Sequence, residues 1–170
     1  STAVNLLISG ADLRTMRKSE GETFDLLKKS LEEGKAWIAG GEENCYPTAL
    51  MPAEAVLADF RRGLETHEQL LGRKPKIFAR RRFGLSPLFP QMLDKLGFEG
   101  AMHILLDAGR FPAARKSRVL WEGPGVSGVE ALVRQPLDAS RPHTFLALPE
   151  KIGDAMDLDH NSTVVFAHWP

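Results

Sequence analysis

The chain has 170 residues, enough for one domain with a buried core, and its 22 basic and 22 acidic residues cancel to zero net charge. That balance argues against a nucleic-acid partner or a membrane surface, and no apolar run is long enough to span a bilayer. The single cysteine, Cys45, excludes an internal disulfide and a cysteine-based zinc finger; it is compatible with a reducing cytoplasm but does not assign the protein to one.

Val4 to Ser9 is short and apolar and reads as a buried strand ended by Gly10. Ser19-Glu20-Gly21-Glu22 has the spacing of a capping box, with Phe24, Leu27 and Leu31 following at helical intervals and Gly34 as the stop. Ala36 to Ala39 predicts a second strand, leading into Gly40-Gly41-Glu42-Glu43. A helix is expected from Pro52, with Leu57, Phe60, Leu64, His67 and Leu71 on its buried stripe and Gly72 at its end. Ile77 to Ala79 predicts a third strand, followed by Arg80, Arg81 and Arg82. Ser86-Pro87 predicts the start of a helix that buries Leu88, Met92 and Leu96, and Ala101 to Leu106 a fourth strand. Beyond Asp107 the pattern weakens. Short strands are expected at Val119 to Trp121, Val129 to Val133, Thr144 to Ala147 and Thr163 to Ala167, with a last helix from Pro149.

Strands and helices alternating at short loop lengths predict a single α/β domain over residues 1–170, with mostly parallel strands and helical crossovers. In such folds the chemistry collects at the carboxyl ends of the strands. Those ends are Gly40 to Tyr46, Arg80 to Ser86, His103 to Gly109 and His168-Trp169.

Glu42 and Glu43 follow a double glycine that permits close backbone approach by a ligand, so either suits acid/base work or acceptance from a sugar hydroxyl; a solvated loop carboxylate is the plain alternative. Asp107 would be a second carboxylate. The three arginines either bind a carboxylate or phosphate in forked pairs, or pair internally with Glu42, Glu43 or Asp107. Tyr46, Ser86, His168 and Trp169 lie at the same strand ends and complete the candidate ligand-contacting set. His67, on an apolar helical stripe, is expected to be buried and hydrogen-bonded rather than catalytic. Asp157, Asp159 and His160 lack a second ligand cluster, so no metal and no cofactor is expected. Cys45 has no base partner legible in the sequence.

The segment RRFGLSPLFPQMLDKLGF, Arg81 to Phe98, resembles the motif of family 38 glycoside hydrolases, the α-mannosidases, written around Asp-Pro-Phe-Gly-His-Ser and followed by a helix ending in Gly-Phe. Phe83, Gly84, Ser86, Pro90, Leu93, Gly97 and Phe98 match it. Upstream, AWIAGGEENCYPTAL is similar to that family's strand ending in Gly-Gly-Trp with a following acidic pair, and Leu71 to Pro75 resembles its Phe-Gly-x-x-Pro. The resemblance covers about residues 30 to 105. It implies part of a distorted β/α barrel of the glycoside hydrolase and deacetylase type and, in active members, a zinc-dependent retaining glycosidase. In that family the motif aspartate is both zinc ligand and nucleophile; here Arg81 stands in its place, Leu85 replaces the motif histidine, and the early His-x-Asp metal pair is absent. The resemblance therefore implies a divergent, saccharide-recognising domain excised from a longer chain, without the zinc mechanism. Two other readings are a binding or scaffold domain that uses Arg80 to Arg82 for ion pairs or an anionic ligand, and a polysaccharide-deacetylase-like hydrolase, which would need an Asp/His/His set.

Overall fold

A computed structural model describes residues 4–81, 84–103, 118–125, 127–133, 137–138, 141–144, 146–147, 149–150 and 167–168. In chain order they form β1 (Val4–Ile8), α1 (Gly10–Ser19), α2 (Gly21–Glu32), β2 (Ala36–Gly40), a 3-10 turn (Thr48–Leu50), α3 (Ala53–Leu71) and β3 (Ile77–Ala79). There follow α4 (Phe89–Lys95), β4 (Gly100–His103), β5 (Arg118–Glu122), β6 (Gly128–Val133), β7 (Leu137–Asp138) and β8 (Ala167–His168).

Six strands form one sheet in the order β1-β2-β3-β4-β6-β5, and β7 pairs with β8 separately. Neighbours from β1 through β4 to β6 run parallel, with Ile8 opposite Gly40, Ala39 opposite Ile77, Phe78 opposite Ala101 and Ala101 opposite Ala131. β5 runs antiparallel to β6 at the edge. The predicted α/β class with mostly parallel strands is present, as an open sheet within the described residues. The parallel arrangement brings the carboxyl ends of β1, β2 and β3 side by side, and this is what builds the site.

Two apolar clusters hold the helices to the sheet. One joins Val56, Phe60 and Leu64 of α3 to Phe78 of β3, Phe89 and Leu93 of α4, and Phe98. Its four phenylalanine rings meet edge-on or tilted at centroid distances of 5.4 to 6.2 Å, and Trp121 packs on Phe89 at 6.2 Å. Each ring fully withdrawn from water contributes about 2 to 3 kcal/mol, and the pair geometry adds to it. The other cluster joins Ile8, Leu13, Phe24, Leu31, Ala36, Ile38 and Leu71 under α1 and α2. Among the described residues no helix is long and apolar enough to cross a membrane.

Several expectations are corrected. Gly10 does not merely end β1; it opens α1, an element the sequence reading passed over. The Ser9 hydroxyl caps α1 by accepting from the Asp12 amide at 3.2 Å and donates to Asp12 Oδ2 at 2.7 Å. Ser19 is no N-cap: it sits in the last turn of α1 with its hydroxyl on the Thr15 carbonyl at 2.8 Å, and α2 starts after Glu20 without a side-chain cap. In α3 the stripe holds from Phe60 to Leu71, but Val56 rather than Leu57 is buried at its start. The helix after the arginines begins at Phe89, since Ser86 and Pro87 form a preceding turn, and it buries Phe89, Pro90 and Leu93 more deeply than Leu88, Met92 and Leu96. Thr144 to Ala147 is not a strand; the described residues from 142 to 150 are helical, so helix is already present before Pro149.

Candidate functional site

The loop after β2 turns on Gly41, whose φ of +118° suits glycine and whose missing Cβ leaves room for the Phe98 ring, 2.5 Å from where it would stand. The same loop lies directly on Gly63 of α3: a Cβ there would sit 2.5 Å from Glu42 C and Glu43 N. Asp59, one turn earlier, fastens the loop by accepting from the Glu43 and Asn44 amides at 3.1 Å and from Asn44 Nδ2 at 3.0 Å. The first amides of α1 complete the clamp, with Gly10 N on the Glu42 carbonyl at 3.0 Å and Ala11 N on that of Glu43 at 2.9 Å. Two adjacent carboxylates are thereby fixed beneath the surface, each at least 96% buried.

The two glutamates take different paths. Glu43 pairs with Arg14 of α1 and accepts from the Thr66 hydroxyl at 2.8 Å; Arg14 in turn donates to that hydroxyl at 3.0 Å. This network ties α1 to α3, and Glu43 does not line the cleft at the strand ends. Glu42 faces Arg80, the first residue after β3, whose Nε lies 3.5 Å from Glu42 Oε2. Both side chains are buried. Arg80 Nη1 donates to Thr48 Oγ1 at 2.5 Å and to the Gly84 carbonyl at 2.7 Å, Nη2 donates to the Tyr46 carbonyl, and the guanidinium lies 5.9 Å from the Phe89 ring centre. Arg80 thus stitches the loops after β2 and β3 together. Glu42 Oε1 and Arg80 Nε remain buried without a hydrogen-bond partner among the described residues.

Burial dominates the electrostatics of Glu42. Its carboxyl is raised from 4.5 to about 7 by removal from water above all, with Arg80 pulling it down and Asp59 pushing it up. Burial outweighs the arginine because Arg80 Nε, at 3.5 Å, is outside hydrogen-bond geometry and its other donors face backbone carbonyls, Thr48 and Cys45. Near neutral pH Glu42 is therefore divided between acid and carboxylate, and can donate or accept.

Ser9, Asp12, Glu42, Cys45, Arg80 and Arg81 line a cleft of about 30 Å³ over the ends of β1, β2 and β3. The strand-end expectation thus brings Glu42, Arg80 and Arg81 to one place. Ser9 and Asp12 were not foreseen; the Ser-x-x-Asp spacing that caps α1 was the signal for both. Tyr46 and Ser86 do not line the cleft: Tyr46 is 47% exposed, and the Ser86 hydroxyl accepts from the Leu88 amide at 3.3 Å. Arg82, Asp107 and Trp169 lie outside the described residues, as do the side chains of His103 and His168. His67 is fully buried with Nδ1 2.7 Å from the Gly63 carbonyl, the structural histidine expected, and burial lowers its pKa. A larger groove of about 360 Å³, lined by Arg17, Phe24, Asp25, Lys28, Gln69 and Leu70, lies on the helices and contains none of the strand-end groups.

The zinc implied by the family resemblance does not fit these residues. Among the described residues no group of three or more histidine, cysteine, aspartate or glutamate side chains is placed to hold a metal ion. The cleft also carries two guanidinium groups, which offer no lone pair to a cation and repel it.

Comparison with protein-family models and with curated proteins finds no match. Comparison with solved structures does. The chain superposes on a 4-alpha-glucanotransferase from Thermococcus litoralis with a TM-score of 0.69 at 18% identity, over 98% of this chain and 26% of that one. An alpha-mannosidase from Enterococcus faecalis V583 gives 0.68 at 17% identity, over 97% and 20%. A family 38 glycosyl hydrolase protein from Enterococcus faecalis gives 0.63 at 15% identity, over 99% and 19%. A Puue allantoinase also superposes, at 0.61 and 10% identity, over 88% and 50%. This chain has the fold found in the barrel-type domains of glycoside hydrolases, and the resemblance to α-mannosidases read from Arg81 to Phe98 is borne out at the level of the fold. It spans about a fifth to a quarter of the length of the three carbohydrate-enzyme structures.

Proposed function

We propose that this chain is a saccharide-recognising domain on a glycoside-hydrolase fold, and that it does not perform the zinc-dependent hydrolysis to which the sequence resemblance points. The observation that carries this reading is the end of β3. Arg81 stands where the resembling motif has its aspartate, and Arg80 beside it holds a buried guanidinium against Glu42. A guanidinium neither ligates a metal nor attacks an anomeric carbon, and its charge opposes an oxocarbenium-like transition state. Saccharide recognition is supported by the company of the fold, a glucanotransferase and α-mannosidases. It is supported also by Glu42, whose Oε1 has no hydrogen-bond partner among the described residues and can accept from a sugar hydroxyl.

The test is a binding titration of D-mannose, methyl α-D-mannoside and maltose, with and without EDTA, run beside hydrolysis of an aryl α-mannoside in the presence of zinc. The expected outcome is saccharide binding indifferent to EDTA, and no hydrolysis. Zinc-stimulated hydrolysis sinks the claim that the family chemistry is lost, and no binding of any sugar sinks recognition. One observation favours a scaffold reading: both Nη atoms of Arg80 are already engaged by Thr48, Gly84, Tyr46 and Cys45, which suits a role in cohesion.

A further inference from the structure

Among the described residues, the cleft carries one cation that the interior does not use. Arg80 is engaged by Glu42, Thr48, Gly84 and the Tyr46 carbonyl. Arg81 lines the same cleft, is exposed, and makes no hydrogen bond or ion pair with any described residue. The other charged group at the mouth, Asp12, stands two strands away at the end of β1 and is bonded to Ser9. At the floor, Glu42 Oε1 is buried without a partner among the described residues, a state that favours any ligand group able to reach it. The cleft is small, about 30 Å³, with room for water-sized groups rather than for a sugar ring, so a hydroxyl enters while the ring stays at the mouth.

We propose that the preferred ligand of this cleft is a monosaccharide bearing one anionic group, a carboxylate or a phosphate, with Arg81 holding the anion and Glu42 reading a hydroxyl. This rests on the saccharide reading above and adds the charge of the sugar. A guanidinium offers a planar fork that matches either anion with two parallel hydrogen bonds, and Arg81 has its donors free of the described residues.

The experiment is calorimetric titration of the purified chain at low ionic strength with D-mannose, D-mannuronate, D-mannose 6-phosphate and inorganic phosphate. At least one charged sugar is expected to bind about tenfold more tightly than mannose, with the preference weakening as salt is added. The tighter of the two identifies the anion as carboxylate or phosphate. Arg81→Gln, folded because Arg81 is exposed, is expected to lower the affinity for the charged sugar to that for mannose, and Arg81→Lys to restore part of it. Equal affinity for mannose and both charged sugars, or a preference unchanged in Arg81→Gln, overturns the anion assignment and leaves the saccharide reading standing. No binding of any sugar, or phosphate binding as tightly as mannose 6-phosphate while mannose and mannuronate do not bind, overturns the saccharide reading and this inference with it.

Discussion

Replacing Glu42 with Gln isolates the cost of keeping a carboxylate in the floor of the cleft. In the wild-type chain the folded state holds the Glu42 proton up to about pH 7, whereas the unfolded chain releases it near 4.5. Between those values the folded state binds more protons than the unfolded one, so stability falls as pH rises. At about 1.4 kcal/mol per pH unit across that window, the loss is about 3 kcal/mol by pH 8. The glutamine amide of the variant has no proton to release, and every other titrating group is common to both proteins. The stability difference between wild type and Glu42→Gln, from urea unfolding at intervals from pH 4.5 to 8, is therefore expected to move against the wild type by about that amount. A difference that stays flat, or moves in favour of the wild type as pH rises, refutes the view that burial outweighs Arg80 at this carboxyl.

Arg80→Ala removes the counterion of Glu42 and the donors that join the loops after β2 and β3. The expected loss is about 3 to 5 kcal/mol, larger at pH 8 than at pH 5 because Glu42 needs the arginine only when ionised; a loss below about 1 kcal/mol by chemical denaturation contradicts this. Gly63→Ala places a methyl against the backbone of Glu42 and Glu43. It is expected to cost about 3 kcal/mol and to lower the melting temperature by roughly 6 to 12 °C, and an unchanged melting temperature contradicts the close approach. His67, with its pKa lowered by burial, is neutral in the fold where the unfolded chain is protonated. Wild type should lose stability relative to His67→Gln as pH drops below 6.5, and a relative gain on acidification contradicts the assignment.

The parallel core was legible because its signals are local. Apolar runs mark β1 to β4, with a glycine at the edge of β1, β2 and β4, and the 3.6-residue period marks α3. What was missed depended on choosing between two capping boxes ten residues apart. Ser9 to Asp12 closes on a real helix start, while Ser19 to Glu22 has the same spacing but is consumed by the end of α1. With α1 overlooked, Arg14, Ser9 and Asp12 had no place in the site. The two adjacent glutamates looked equivalent because their separation depends on which neighbour reaches each one, Arg14 from α1 or Arg80 from the end of β3. Those partners lie 29 and 38 residues away in sequence, and no local pattern announces them. The arginine run was divided in the same way: adjacent residues at a strand end alternate in direction, sending Arg80 inward and Arg81 outward.

The central claim is that the carboxyl ends of β1, β2 and β3 form a saccharide site built on Glu42, Arg80 and Arg81. Amide and arginine side-chain chemical shifts, followed while D-mannose and D-mannuronate are titrated into the ¹⁵N-labelled chain, test it most directly. The expected result is a saturating change centred on Ser9, Gly40 to Glu43 and the Arg80 and Arg81 side chains, unaltered by EDTA. No saturating change at those positions, or one confined to the groove between Arg17 and Lys28, contradicts it.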